Sequence, residues 1–405
     1  MDGYRIQALK ESPKMTYMNL NIGAAISPKL YNLSWKVALK MLVFGIFFVP
    51  KFDLENYGKN KIIFSRSFLS SSRPDFNEIY SFVSSSCHSN RWSFCRILKF
   101  GSSLSSLRTF TSVFSKNYSL NLSFTERLAV SSLECFYRKV VEKLYLMNWD
   151  DYDCYISFCD SYLEENLAAQ LAKLKGLRTI TLQHGQFKNS GPAVTTDSEA
   201  YLNFISDYML IWGKATEDQL VSAGVSRDRL LLSGVPKFVY NYGMSSTVYD
   251  NSLSIYLNGD NHFDSNKKMV EACVQYCEEF GIGFFILRHP TSLKKLEQSI
   301  YKSGLFKGFS QEVNNYSLLN VVNSSGVLLD LLMKNVQVAV FVDASTNDLY
   351  RQMGLDFCDS IELARAFKSD KVQRNSKARE YFNHAKSEED AKVTYARHLS
   401  EVVRK

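Results

Sequence analysis

The chain has 405 residues, of which 45% are hydrophobic and 22% charged, and a formal net charge of +7. That length exceeds one ordinary core and suits two α/β domains, and the composition excludes a disordered chain. The small excess of Lys and Arg suits phosphorylated molecules or an anionic membrane surface. No basic cluster is interleaved with aromatics, so nucleic acid is the weakest partner class.

The first forty residues are polar and interrupted, without the apolar region and cleavage site of a secretory leader. Residues 41–50 (MLVFGIFFVP) are apolar and flanked by Lys36, Lys40 and Lys51. They fall far short of the roughly 20 residues that span a bilayer. They read as a buried strand or helix, or as a shallow membrane contact with lysines on lipid phosphates. Residues 61–65 read as a strand, residues 67–132 give no assignable pattern, and residues 126–147 have helical spacing.

A regular alternation follows. Residues 152–158 predict a strand and 162–174 a helix stopped by Gly176. Residues 178–182 predict a strand ending in Gln183-His184-Gly185-Gln186. A strand over 208–212, a helix over 216–223 stopped by Gly224, and a strand over 230–233 ending in Gly234-Val235-Pro236 come next. Residues 237–252 read as a linker. The pattern restarts with a strand over 253–257 ending in Asn258-Gly259-Asp260, a helix over 266–280, and a strand over 283–288 ending in His289-Pro290. A helix over 291–303 and a strand over 318–322 ending in Asn323-Ser324-Ser325-Gly326 follow, then a helix over 327–334, a strand over 336–342 and a final helix over 387–405. Such alternation predicts parallel βαβ units. We expect two Rossmann-like domains, 1–245 and 246–405.

The eight cysteines contain no C-x-x-C pair, and Cys273 and Cys277, one helical turn apart, have no His nearby in sequence. They read as buried thiols of a reducing compartment, with no metal site. Phosphate loops of the Walker type, G-x-G-x-x-G, H-E-x-x-H and G-x-S-x-G are all absent. No cofactor is expected.

Ligands of open parallel sheets sit at the carboxyl ends of strands, so polar residues there are the candidates. Ser324, Ser325 and Gly326 open a helix, where small residues, hydroxyls and unpaired N–H groups suit a phosphate, and Asp330 lies one turn on. Arg288, His289 and Pro290 end another strand; the first two offer a forked charge and a donor of tunable charge. Asn258 and Gly259 close a third. In the first half His184, beside the tight turn at Gly185, is the candidate general base, and Asp160 the other candidate for that role. Lys214 is placed to lean toward the same opening.

These residues resemble a family. Residues 179–187 (TITLQHGQF), 210–215 (LIWGKA) and 221–237 (VSAGVSRDRLLLSGVPK) are similar to the middle of glycosyltransferases of the GT-B type from capsule, teichoic acid and lipopolysaccharide gene clusters. Residues 286–290 resemble the His-Pro motif of CDP-glycerol glycerophosphotransferases and bacterial polysialyltransferases, and 323–330 (NSSGVLLD) their donor-site passage. The resemblance covers about half the chain, residues 152–342. It implies an α/β fold of two Rossmann-like domains with parallel sheets facing a central cleft. It also implies a nucleotide-sugar donor bound in the second domain, a glycan or lipid-linked acceptor, and a cytoplasmic protein at the inner face of the cell membrane. Transfer of a CDP-polyol phosphate, 2-epimerisation of a nucleotide sugar, or a non-catalytic binding partner of a synthase complex are the alternatives. The acid at 330 is Asp where many relatives have Glu, and the acidic motif that serves sialyltransferases as base is absent, which leaves that role to His184 or Asp160. Residues 1–150 carry no nameable motif.

Overall fold

In the computed structural model the chain is described except at residues 2, 32, 56–60, 67–73, 88, 99–102, 162, 186, 188–200, 203, 237–249, 290–294, 311–316, 324–326, 334–335, 344–355, 369–370 and 405. It divides into two units. The first comprises Met1–Trp212, Thr216–Phe238 and Ala385–Lys405, and the second Gly213–Ala215 and Val239–His384.

The first unit opens with a short hairpin of β1 (Thr16–Tyr17) and β2 (Leu20–Asn21). Its main sheet holds β3 (Phe48–Glu55), β4 (Ile62–Arg66), β5 (Asn90–Leu98), β6 (Cys154–Ser157), β7 (Arg178–Leu182), β8 (Tyr208–Ile211) and β9 (Leu230–Leu232), in the order β3-β5-β4-β6-β7-β8-β9. All pairs are parallel except β3–β5, which runs antiparallel from Phe48↔Leu98 to Glu55↔Arg91. Every residue of β6 is buried, as expected of a central parallel strand covered on both faces.

Residues 41–50 are not one element. They hold the end of a helix, Trp35–Phe47, and the start of β3. That helix lies so close to the helix Phe124–Tyr145 that a Cβ at Gly45 would fall 2.3 Å from the Ser132 carbonyl oxygen. Phe44 and Phe136 pack at 4.2 Å between ring centroids. The helix Phe124–Tyr145 starts with a capping box: Ser123 Oγ accepts from the Glu126 amide, and Glu126 accepts from the Ser123 amide at 2.8 Å. The unassigned stretch 67–132 proves to hold the helices Pro74–Cys87 and Ser103–Lys116 with β5 between them.

The stops at Gly176 and Gly224 are where the sequence places them, and both have positive φ, +80° and +96°. The last helix, Glu388–Arg404, groups with the first unit, whereas the sequence reading carries the second domain over 246–405. It packs on the helix Pro74–Cys87, and Tyr395 Oη donates to the Gly234 carbonyl at 3.1 Å.

The second unit is a wholly parallel sheet of β10 (Asp250–Tyr256), β11 (Gly283–Leu287), β12 (Phe306–Ser310), β13 (Ser317–Val322), β14 (Gln337–Phe341) and β15 (Asp356–Phe357), ordered β12-β11-β10-β13-β14-β15. The sequence reading lacks β12. Gly308, at φ +133°, lies in this strand where the register with β11 slips, so the two-residue alternation that marks a strand is broken. Of the helix expected over 291–303, the described helical residues are Gln298–Tyr301. Most of the expected linker lies outside the described residues, and β10 already begins at Asp250.

Cys135, Cys154, Cys159, Cys273 and Cys277 are buried free thiols and Cys358 is exposed. Burial pushes the Cys277 thiol up to about 12, so it stays protonated and inert. Among the described residues no helix is long and apolar enough to cross a membrane.

Candidate functional site

Each sheet has a point where successive connections leave in opposite directions. In the first unit β4 connects to β5 on one side and β6 to β7 on the other, so the point lies between β4 and β6. In the second unit it lies between β10 and β13. Loops diverge there and leave a crevice at the strand ends.

In the second unit that crevice is built from asparagines. Asn266, buried in the first turns of the helix Phe263–Phe280, accepts the Asn258 amide at 3.0 Å and donates from Nδ2 to the Asn258 carbonyl at 2.9 Å. Asn258 Nδ2 crosses to the Asn323 carbonyl at 3.2 Å, and Asn323 Nδ2 reaches Asn266 Oδ1 at 3.4 Å. Asn258 Oδ1 takes the Gly259 amide at 2.8 Å. The ends of β10 and β13 are thereby stapled together by neutral groups. His289, after β11, brings Nδ1 to 3.9 Å from where a Cβ on Gly259 would lie. His289, Asn258 and Gly259 therefore form one neighbourhood.

Arg288 turns the other way. Its guanidinium carbon lies 3.9 Å from the Phe309 ring centroid, over β12, whereas His289 lies beside the end of β10. Asp330, half-buried on the helix Val327–Met333, faces Tyr256: burial first, and the Asp330 charge with it, pushes that phenol up. Pro290, Ser324, Ser325 and Gly326 lie outside the described residues.

In the first unit His184 follows β7 and is half-buried. Its ring stacks on Tyr201 at 5.1 Å and 11°, meets Phe76 edge-on at 5.6 Å, and lies 5.5 Å from Phe158. Its Nδ1 is 3.3 Å from the Leu182 carbonyl oxygen. A carbonyl only accepts, so this bond puts a proton on Nδ1, and in the neutral ring the lone pair is then on Nε2. The turn beneath is held by Gln183, which donates from Nε2 to the Gly185 carbonyl at 2.9 Å and to Thr216 Oγ1 at 3.0 Å, and accepts the Trp212 amide at 2.7 Å. Tyr201 Oη also donates to the Gly185 carbonyl, at 2.8 Å.

Asp160 is placed differently. It is 0% exposed, and its Oδ2 accepts the Ser206 amide at 2.7 Å and the Ser206 hydroxyl. Burial pushes its carboxyl above the ordinary value, against those bonds. A carboxyl sealed in this way ties two loops together and offers no oxygen to a hydroxyl arriving from solvent. Beside it Glu165 Oε1 takes the Phe158 amide at 2.6 Å, and Ser65 Oγ meets Tyr155 Oη at 2.6 Å. Glu164 and Glu165, in the first turn of the helix that follows, are both buried. The strand ends between β4 and β6 thus hold a buried network of carboxyls and hydroxyls.

Three contributors escape the sequence reading. Asn266 sits eight residues after Asn258 in the first turns of a helix, a spacing that puts it back over the strand end and was legible in principle. Ser206 and Tyr201 reach their partners only through the fold.

No protein-family model matches the sequence, and no curated protein sequence matches it. Solved structures do resemble it in fold. The Staphylococcus aureus MnaA–UDP co-structure has a TM-score of 0.51 at 12% identity, over 85% of this chain and 98% of that one. A Listeria monocytogenes protein assigned as a UDP-N-acetylglucosamine 2-epimerase has a TM-score of 0.50 at 10% identity, over 84% and 97%. Arabidopsis thaliana UGT89C1 in complex with UDP gives 0.48 at 11% identity, over 85% and 100%. The chain therefore has the two-domain α/β fold of the GT-B type.

Proposed function

We propose that this chain is a glycosyltransferase that moves a sugar from a nucleotide-sugar donor to a hydroxyl of a glycan or lipid-linked acceptor, in the building of a bacterial surface polysaccharide. The observation that carries the reading is the asparagine-stapled crevice of the second unit with His289 beside Gly259. Neutral amides and an imidazole at a parallel-sheet switch point are groups that bind a nucleoside diphosphate without repelling it. The same donors stabilise the charge that gathers on the leaving phosphate as the glycosidic bond breaks. His184, with its Nε2 lone pair, takes the proton of the attacking hydroxyl. Asp160 keeps a supporting role, fixing the loop that follows β6.

A second reading, 2-epimerisation of a nucleotide sugar, has support of its own. One similar structure is assigned to that activity, and the MnaA structure that resembles this chain holds UDP. A panel of UDP-, GDP-, CDP- and CMP-linked donors read by thermal shift tests the shared premise, since a ligand of the native state raises the melting temperature with saturation. No shift with any of them defeats both readings. The stabilising donor, incubated alone and followed by NMR, then separates them: a C2 epimer formed without acceptor supports the epimerase, and nucleotide release only with acceptor supports the transferase.

A further inference from the structure

The helix Trp35–Phe47 carries its apolar residues on the wrong side for a soluble surface. Ala38 and Gly45 face inward against the helix Phe124–Tyr145, yet Trp35 is 54% exposed, Leu39 46% and Val43 47%. Spaced by four, these three form one stripe along the outer face. Lys36 and Lys40, both exposed, border it, and neither has an ion-pair partner among the described residues. The neighbouring helix Ser103–Lys116 packs alongside and exposes Leu104, at 77%, with Leu107 and Arg108.

The charge around this face is one-sided. Residues 12–52 contain five lysines and no Asp or Glu, and residues 79–125 contain five Lys or Arg and no Asp or Glu. The chain has 41 acidic residues, and none falls in the two segments that build the face. A protein partner of mixed charge gives no reason for such exclusion, whereas a uniformly anionic plane does. The sequence reading places a membrane contact at residues 41–50. Within that stretch Phe44 and Gly45 pack inward, while Trp35 and Leu39, just before it, do not.

We propose that the outer faces of the helices Trp35–Phe47 and Ser103–Lys116 dock on an anionic phospholipid bilayer, with Trp35, Leu39 and Val43 at the acyl boundary and Lys36 and Lys40 on headgroup phosphates. The stripe is too short to span and has the amphipathic make-up of an interfacial anchor, with an aromatic at its end. This docking stands apart from the nucleotide-binding reading and survives its failure.

Co-sedimentation of the full chain with phosphatidylcholine vesicles, with and without phosphatidylglycerol, tests it. Binding is expected with phosphatidylglycerol and is expected to weaken in high salt. Lys36→Gln with Lys40→Gln should lower the partition by about 25-fold, near fivefold per lysine. Trp35→Ser with Leu39→Ser should lower it at least about tenfold. Both pairs lie at exposed positions, so the melting temperature should hold. Three results would overturn the proposal: no binding to either vesicle, binding that neither pair changes, or a concentration-dependent dimer that Trp35→Ser with Leu39→Ser dissolves, which would give the face to a second copy of the chain.

Discussion

Between β4 and β6 the strand ends close over Ser65, Tyr155, Asp160 and Glu165, while between β10 and β13 they hold Asn258, Asn266 and Asn323. Topology puts a crevice at both places. The first is filled with buried acids and hydroxyls whose bonds go to one another and to backbone amides. The second is stapled by neutral amides, with Asp330 half-buried beside Tyr256 at the end of β10. The two sheets thus differ in the polar side chains at their switch points.

The largest effect that sharpens this contrast falls on His184. His184→Asn should lower the transfer rate about 10²- to 10⁴-fold while the thermal shift by nucleotide is unchanged, because the base is lost and the nucleotide crevice is intact. An unchanged rate would remove the first unit from the chemistry.

Next comes the staple itself. Asn266→Ala leaves the Asn258 amide and carbonyl without their partner, so about 1–3 kcal/mol of stability should go, seen in urea unfolding. Nucleotide affinity should fall with it by about tenfold or more, while Asp160→Ala should cost similar stability by stripping Ser206 and leave nucleotide affinity within about twofold.

The pH dependence of stability separates two aspartates of the first unit. Asp207 is held below the ordinary carboxylate value: burial opposes this, but Lys173 and the Thr179 amide and hydroxyl prevail. Its contribution is fully present above the unfolded value, near about 4, and is lost as pH falls through the folded value. Asp160, raised by burial, acts with the opposite sign: its contribution is present below the unfolded value and lost as pH rises through the folded one. Unfolding free energies from acid to neutral pH should therefore lose a rising limb in Asp207→Asn and a falling limb in Asp160→Asn.

The smallest effect is expected at Arg288. Its guanidinium rests on Phe309, so Arg288→Ala should change nucleotide affinity by less than about threefold, against about tenfold for His289→Ala, both by titration. A larger loss at Arg288 would return the forked charge to the phosphate.

How much of this was legible follows from where each signal resides. The alternation of apolar runs with helical stretches from residue 152 on marks parallel units, and β7 falls at 178–182 where its pattern places it. Positions at strand ends follow at once, so His184, Asn258, Gly259 and His289 were legible as candidates. β12 was hidden by its bulge at Gly308, and β5 by a stretch whose serines and aromatics fit no single period.

By itself the sequence determined two α/β units and a short list of polar strand ends, because burial period and chain order are local properties. Only the tertiary structure decided what surrounds those ends. It buried Asp160 under Ser206, 46 residues away, stacked Tyr201 on His184, and sent Arg288 to Phe309 while His289 went to Gly259. It also returned the last helix to the first unit. Solvent access and charge neighbours depend on residues far along the chain, so whether a strand end is open or a buried tie is fixed only once the sheet has formed.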